Sequence, residues 1–135
     1  MSDVHDLPLD PASTFDSLYG LVVDEVSDGL VTGHVEVDRR VQQPFGIVHG
    51  GVHCSIAEAL ASIGTWFAVK DEGKLAMGLS NQTSFLRPVS SGVIHARAGA
   101  VHRGRSTWVW DVEIRDDSDR LCALSRMTIA VRSPA

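Results

Sequence analysis

Cysteine is scarce in this sequence, with only Cys54 and Cys122 among 135 residues. Two isolated thiols build no disulfide framework and fit a reducing compartment, and no metal centre is expected from such a pair. No uninterrupted apolar run approaches the ~20 residues that a membrane-spanning helix needs. The opening MSDVHDLPLDPAS is acidic and polar, without the basic and apolar regions of an export signal. The expectation is a cytoplasmic protein with no membrane partner. Positive charge is also in deficit: 12 basic side chains face 17 acidic ones, for a formal net charge of -5. That balance argues against nucleic acid as a general partner.

Lysine disappears after Lys74. Residues 1–85 hold four basic and twelve acidic side chains, whereas residues 86–135 hold eight arginines and five acids. A local arginine excess in an acidic protein suits a small polyanion such as a phosphorylated cofactor. Arginines scattered over solvent-facing strand positions would give the same count.

The rest of the composition is that of a soluble globular chain, 44% hydrophobic and 21% charged. A single domain of this length buries about two-thirds of its surface. Residues 1–13 read as a flexible tail and 14–135 as that domain. STFDSLYG is a candidate short helix, capped by Ser13 or Thr14 and closed at Gly20. LVVDEVSDGLVTGHVEVD reads as two strands joined around Ser27-Asp28-Gly29. After a loop at 40–48, a proline-free stretch from about His49 to Val69 sets Ile56, Leu60, Ile63 and Phe67 at helical spacing. Four candidate strands follow: KLAMGLSNQTSFL, GVIHARAGAVHRG, RSTWVWDVEIRDD and DRLCALSRMTIAVR. In the third, Trp108, Trp110, Val112 and Ile114 alternate with Asp111 and Glu113. The expected order is a hairpin, a long helix and an antiparallel meander. A helix of ~20 residues is ~30 Å long, so the sheet must curl around it. That is an α+β plan of the hotdog type, five to six antiparallel strands wrapped around one central helix.

One carboxylate stands out on that helix. Between Gly50 and Val69, Glu58 is the only acidic residue, and His53 and Cys54 are the only other ionisable groups. A face meant for water carries several charges. A helix apolar on all sides is expected to be buried, and a lone carboxylate there marks a candidate functional site. The plain alternative is a solvated glutamate. Ser62, four residues on, shares its face.

His49-Gly50-Gly51 opens the helix. Glycines let a ligand approach the backbone, and the unpaired first-turn N–H groups suit a developing oxyanion. A sharp chain reversal would need the same glycines. His49 and His53 have metal-ligand spacing, but Glu58 lies roughly 140° further round the helix, so no metal site is expected. His49 and Glu58 are nine residues apart, ~13 Å along one helix and on opposite sides of it. If both act on one reacting centre, they come from different subunits related by a two-fold axis. An obligate dimer is implied.

QPFGIVHGGVHCSIAEALAS, followed by GLSNQTSFLRPV, HRGRST and DRLCALSRMTIA, resembles the hotdog-fold acyl-CoA thioesterases. The nearest branch is the PaaI-like group, which includes 4-hydroxybenzoyl-CoA thioesterase of the Arthrobacter type. The match runs from about residue 15 to 132, in order. The resemblance implies that Glu58 is the catalytic carboxylate, either general base or nucleophile. It implies that the Gly50 N–H polarises the thioester carbonyl, that Gln43 and His49 position thioester and water, and that Ser62 hydrogen-bonds near the carboxylate. For CoA it implies Gly78, Arg87 and the turn His102, Arg103, Gly104, Arg105 and Ser106. No cofactor is implied, since CoA is part of the substrate. A homodimer with shared sites is implied, with dimers pairing into tetramers.

One position departs from the pattern. Several bacterial relatives have a histidine where Phe85 stands, two residues before Arg87, so their acyl preference does not transfer. Phe85 with Trp66 and Phe67 is a candidate apolar pocket for an aryl, phenylacetyl or medium-chain acyl group. Two other readings stand beside thioester hydrolysis: a hotdog dehydratase or hydratase, whose motif is not visible, and a non-catalytic acyl-CoA-binding module. A pure binder needs no isolated carboxylate.

Overall fold

The computed structural model describes all residues, Met1–Ala135. A short helix α1 (Phe15–Leu18) precedes the hairpin of β1 (Val22–Ser27) and β2 (Leu30–Glu36). The long helix α2 (Gly50–Val69) comes next, then β3 (Leu75–Phe85), β4 (Val93–Arg103), β5 (Thr107–Arg115) and β6 (Leu121–Arg132). Every pairing is antiparallel, and the six strands lie in the order β1-β2-β4-β5-β6-β3. The Asp28-Gly29 turn closes the first hairpin with Gly29 at φ 74, where glycine pays no steric cost.

The expected meander holds for β4, β5 and β6 only. β3 passes over its successor and pairs with β6, while β2 takes the place beside β4. The reason lies in β3 itself: its side chains are mostly exposed, with none of the regular buried positions that β4, β5 and β6 carry. Such a strand suits a sheet edge.

α2 lies in the hollow of the sheet. Its buried positions are His53, Ile56, Ala57, Leu60, Ala61, Gly64, Thr65 and Val69, whereas Ile63 and Phe67 are only partly buried at the margin. The contact stripe is therefore rotated from the expected one, because small residues let the helix approach the sheet. At Gly64 an added Cβ would stand 2.4 Å from the Trp110 ring. Ile56, Leu60, Trp110, Ile114, Met127 and Ile129 are fully buried, and each aliphatic one contributes about 1.5–3 kcal/mol by leaving water. By length and composition Gly50–Glu72 also passes for a membrane span, contrary to the count of uninterrupted apolar runs. In the fold it is the core helix.

Residues 1–13 lie against the sheet as two 3-10 turns, Val4–Asp6 and Pro11–Ser13. The Ser2 N–H bonds the Val26 carbonyl at 2.8 Å and Val4 packs on the core. Thr14 stands at the N-cap of α1 as expected, but its hydroxyl and that of Ser13 donate back to the Pro11 and Asp10 carbonyls, so no side chain caps the helix.

Candidate active site

The start of α2 is built by its own sequence. His49 is the N-cap, and its Nδ1 accepts the Gly51 N–H at 2.8 Å. That bond leaves Nε2 as the proton-bearing nitrogen of the neutral ring, so His49 presents a donor to solvent. The loop before it is tied alongside: the His49 N–H bonds the Val41 carbonyl at 2.8 Å, and Gln42 and Val48 form a bridge. Within this loop the Gln43 side-chain oxygen accepts the Phe45 N–H, which leaves its amide NH2 free. Phe85 covers the same end of the helix, for a Cβ at Gly50 would meet its Cζ at 2.8 Å. His49, Gly50 and Phe85 therefore gather in one place, with the loop of Gln43 tied alongside.

Glu58 is elsewhere, and it is exposed rather than buried as expected. Apart from Glu58 the outer face of α2 is uncharged, but the chain's own sheet does not cover it. Glu58 opens into a pocket of about 320 Å³ with Phe15, Asp16, Cys54, Ser55, Ala59, Ser62 and Asn81. Asn81 is held by its amide, which donates to the Cys54 carbonyl at 2.9 Å. Gly78, expected with CoA, backs the carboxyl group: an added Cβ would lie 3.5 Å from Glu58 Cδ. Tyr19 is buried beside this pocket and donates to Asp16 Oδ1 at 2.9 Å. Burial pushes its phenol well above the ordinary range, and the charges of Asp16 and Glu58 add to the effect. Asp16, Tyr19 and Asn81 escaped sequence reasoning. The only available signal was an Asp and a Tyr three apart on a short helix.

A larger, more apolar cavity of about 480 Å³ lies on the other side of α1, lined by Val4, Leu7, Leu9, Leu21, Val23 and Ile63 among others. It contains none of the candidate catalytic residues. The smaller pocket holds Glu58 and Ser62, and Asp16 borders both.

The expected CoA residues are split. Gly78 and Phe85 are seven residues apart on β3, roughly 23 Å along the strand. Arg87 follows Phe85 at one end, exposed and without a carboxylate partner. The turn of His102, Arg103, Gly104, Arg105 and Ser106 is at the other, in the row where Gly78 pairs with Ile129, Ile129 with Trp108 and Trp108 with Arg103. Arg103 is engaged within the chain, bonded to Asp28 at 2.7 Å and lying 5.3 Å over the Trp108 ring. Arg115, Arg120 and Arg126 also pair with carboxylates. Arg105 does not. Trp66 and Phe67 meet edge to face, ring centroids 5.0 Å apart, near the end of α2, four turns from Phe85. The expected aromatic trio is not assembled within one chain, because two of its members sit at opposite ends of the helix from the third.

Known proteins share this architecture. The family model described as the thioesterase superfamily matches residues 45–123. A thioesterase from Haemophilus influenzae superposes with a TM-score of 0.86 at 34% identity, covering 91% of this chain and 85% of that one. The 1,4-dihydroxy-2-naphthoyl-CoA hydrolase of Listeria monocytogenes is 37% identical over 113 residues, 84% of this chain and 91% of its own. A thioesterase from Staphylococcus aureus, solved with a glutamine replaced by alanine, superposes with a TM-score of 0.84 at 30% identity, covering 87% of this chain and 97% of its own. The same protein was also solved with a glutamate replaced by alanine. With its six-stranded sheet curled around α2 and its matched segment running from the loop of Gln43 to β6, this chain belongs to the thioesterase superfamily, hydrolases of thioesters built on the hotdog fold.

Proposed function

We propose that the protein hydrolyses acyl-CoA thioesters with Glu58 as the catalytic carboxylate and the Gly50 N–H as oxyanion donor. One observation carries this reading: Glu58 is the sole acid on α2 and opens into a pocket beside Ser62. The glutamine and glutamate replaced in the Staphylococcus aureus thioesterase are fifteen positions apart, the spacing of Gln43 and Glu58 here. The Listeria monocytogenes relative acts on a CoA ester by its name.

Water attacks the thioester carbonyl carbon, and Glu58 takes its proton or forms a mixed anhydride that water then opens. Negative charge builds on the carbonyl oxygen and is met by the N–H at the positive end of α2. The carbon–sulfur bond breaks, and the thiolate of CoA takes the proton. His49, presenting an Nε2–H, and the free amide of Gln43 orient the ester. Among the residues expected at CoA, Arg87 and Arg105 have no carboxylate partner and are the candidates to meet the phosphates.

Within one chain Gly50 and Glu58 are eight residues apart, ~12 Å along the helix, against different ends of β3. The site is therefore shared by two copies. β3 has one edge unpaired and exposes Leu75, Met77 and Leu79, which supports its pairing with a second β3. An antiparallel pair centred near Asn81 and Gln82 sets Gly78, and with it Glu58, opposite the partner's Phe85 and Gly50. Aryl, phenylacetyl and medium-chain acyl groups are the candidate substrates.

The test follows release of the CoA thiol from a panel of such esters by wild type and Glu58→Ala. A loss of kcat of at least about a hundredfold is expected, the scale for removing a general base. Unchanged turnover would sink the role of Glu58. Tight CoA-ester binding with no thiol release from any ester would show a binding module instead.

A further inference from the structure

The Glu58 pocket has a wall that α2 does not supply. α1 contributes Phe15 and Asp16, opposite Ala59 and Ser62. Asp16 is fixed in place, because the buried Tyr19 hydroxyl donates to its Oδ1 at 2.9 Å. Burial, followed by the charges of Asp16 and Glu58, keeps that phenol protonated, so it goes on donating. Asp16 Oδ2 has no hydrogen-bond partner in the chain and no residue lining the pocket is basic. The pocket thus presents a second carboxylate beside the one assigned to chemistry, with no cation from its own chain to offset either. The CoA phosphates are repelled from such a wall and drawn to Arg105 and Arg87, which have no carboxylate partners. The acyl group is left to face Asp16.

We propose that Asp16, held by Tyr19, is a specificity-determining residue that selects the acyl group by charge: it accepts groups bearing an ammonium, amino or hydroxyl donor and rejects groups bearing a carboxylate. An acyl carboxylate would bring a third negative charge into a small pocket whose own chain supplies no counter-charge. A donor-bearing group would instead satisfy Oδ2 with a charge-assisted hydrogen bond. The proposal rests on the reading that this pocket holds the acyl thioester.

The experiment uses three para-substituted benzoyl esters of CoA: 4-aminomethylbenzoyl, 4-methylbenzoyl and 4-carboxybenzoyl. Wild type is expected to favour the ammonium ester over the carboxylate ester by at least about tenfold in kcat/KM, with the neutral ester between. Asp16→Asn keeps the shape and the Tyr19 bond but removes the charge. It is expected to shrink that ratio at least about fivefold. Asp16→Glu should retain the preference. A merely structural role would lower all three rates together and leave the ratio standing, which would overturn the proposal. Calorimetric binding of the three non-hydrolysable thioether analogues asks the same question without turnover. If wild type cleaves no ester, the hydrolytic reading fails; the analogue preference and its collapse in Asp16→Asn still judge the inference separately.

Discussion

Gly78 lies against the carboxyl group of Glu58: a Cβ built on it would stand 3.5 Å from Glu58 Cδ and 3.6 Å from Oε1. These are ordinary contact distances, so Gly78→Ala should fold and keep most of its activity. Gly78→Val adds two methyls that must press on the carboxylate. Strand propensity favours valine over glycine, so stability should hold or rise. Activity should still fall, by at least about tenfold in kcat/KM, since displacement of a catalytic group by an ångström is costly. Thermal melts and steady-state rates on one ester separate the two effects. Full activity in the valine variant would show that this side of Glu58 is not used.

The sharing of the site can be read from mixed dimers. Gly50→Val drives a side chain into the Phe85 ring and should inactivate the helix start; Glu58→Ala should inactivate the carboxylate side. Neither variant should hydrolyse substrate alone. Co-expressed in equal amounts, half of the dimers contain one of each, and each of those has one intact site. Recovery of about a quarter of wild-type activity is expected from this two-fold arithmetic. No recovery, with mixed dimers shown to be present, would place the two groups in one chain.

How much of this was legible in the sequence depends on the range of the interaction. The Asp28-Gly29 hairpin, the alternation of Trp108, Trp110, Val112 and Ile114, and the extent of α2 are local patterns, and the structure has them where expected. The partner of β3 is a long-range choice made by competition among strands, and periodicity carries no record of it. The exposure of Glu58 was misread for a related reason. An uncharged helix face signals burial but not what buries it, and here the chain's own sheet leaves that face open. Asp16 and Tyr19, 42 and 39 residues before Glu58 in sequence, reach it only through the folding of α1 onto α2. His49 was read for its chemistry, whereas its Nδ1 also caps the helix it precedes.

A polar contact in the core offers a test of the packing of α2. The Trp110 indole N–H donates to Thr65 Oγ1 at 2.8 Å, and that hydroxyl donates to the Ala61 carbonyl at 2.8 Å. Both residues are fully buried. Thr65→Val keeps the shape and strands the indole donor, which costs about 1–3 kcal/mol. Urea unfolding should show that loss in the midpoint without a change of slope. Trp110→Phe in the valine background leaves no donor to strand, so the two changes should couple rather than add. Additive losses would mean that the hydrogen bond contributes nothing.

His53 gives the fold a pH dependence whose sign is fixed by burial. It sits on the first turns of α2, 4% exposed, with Nδ1 unpaired and its ring 6.1 Å from Phe85. Burial lowers its pKa from 6.5 to about 4. The folded protein therefore keeps the imidazole neutral where the unfolded chain, near pH 6.5, takes up a proton. Stability from this residue is complete above pH 6.5 and is lost as pH falls toward 4; at pH 5 the loss amounts to about 2 kcal/mol. Asp38, Asp116 and Asp117 act in a different window. The side chain of Arg40, the backbone N–H of Arg120 and the ring of His95 respectively hold their carboxyl groups below the ordinary range. Their contributions are present above the unfolded value of about 3.9 and fade only below it. Unfolding free energies measured at pH 7.5, 6 and 5 should then slope downward in wild type and flatten in His53→Leu. An equal slope in the two proteins would show that His53 takes up its proton in the folded state, by a relaxation of Phe85 that lets water reach the ring.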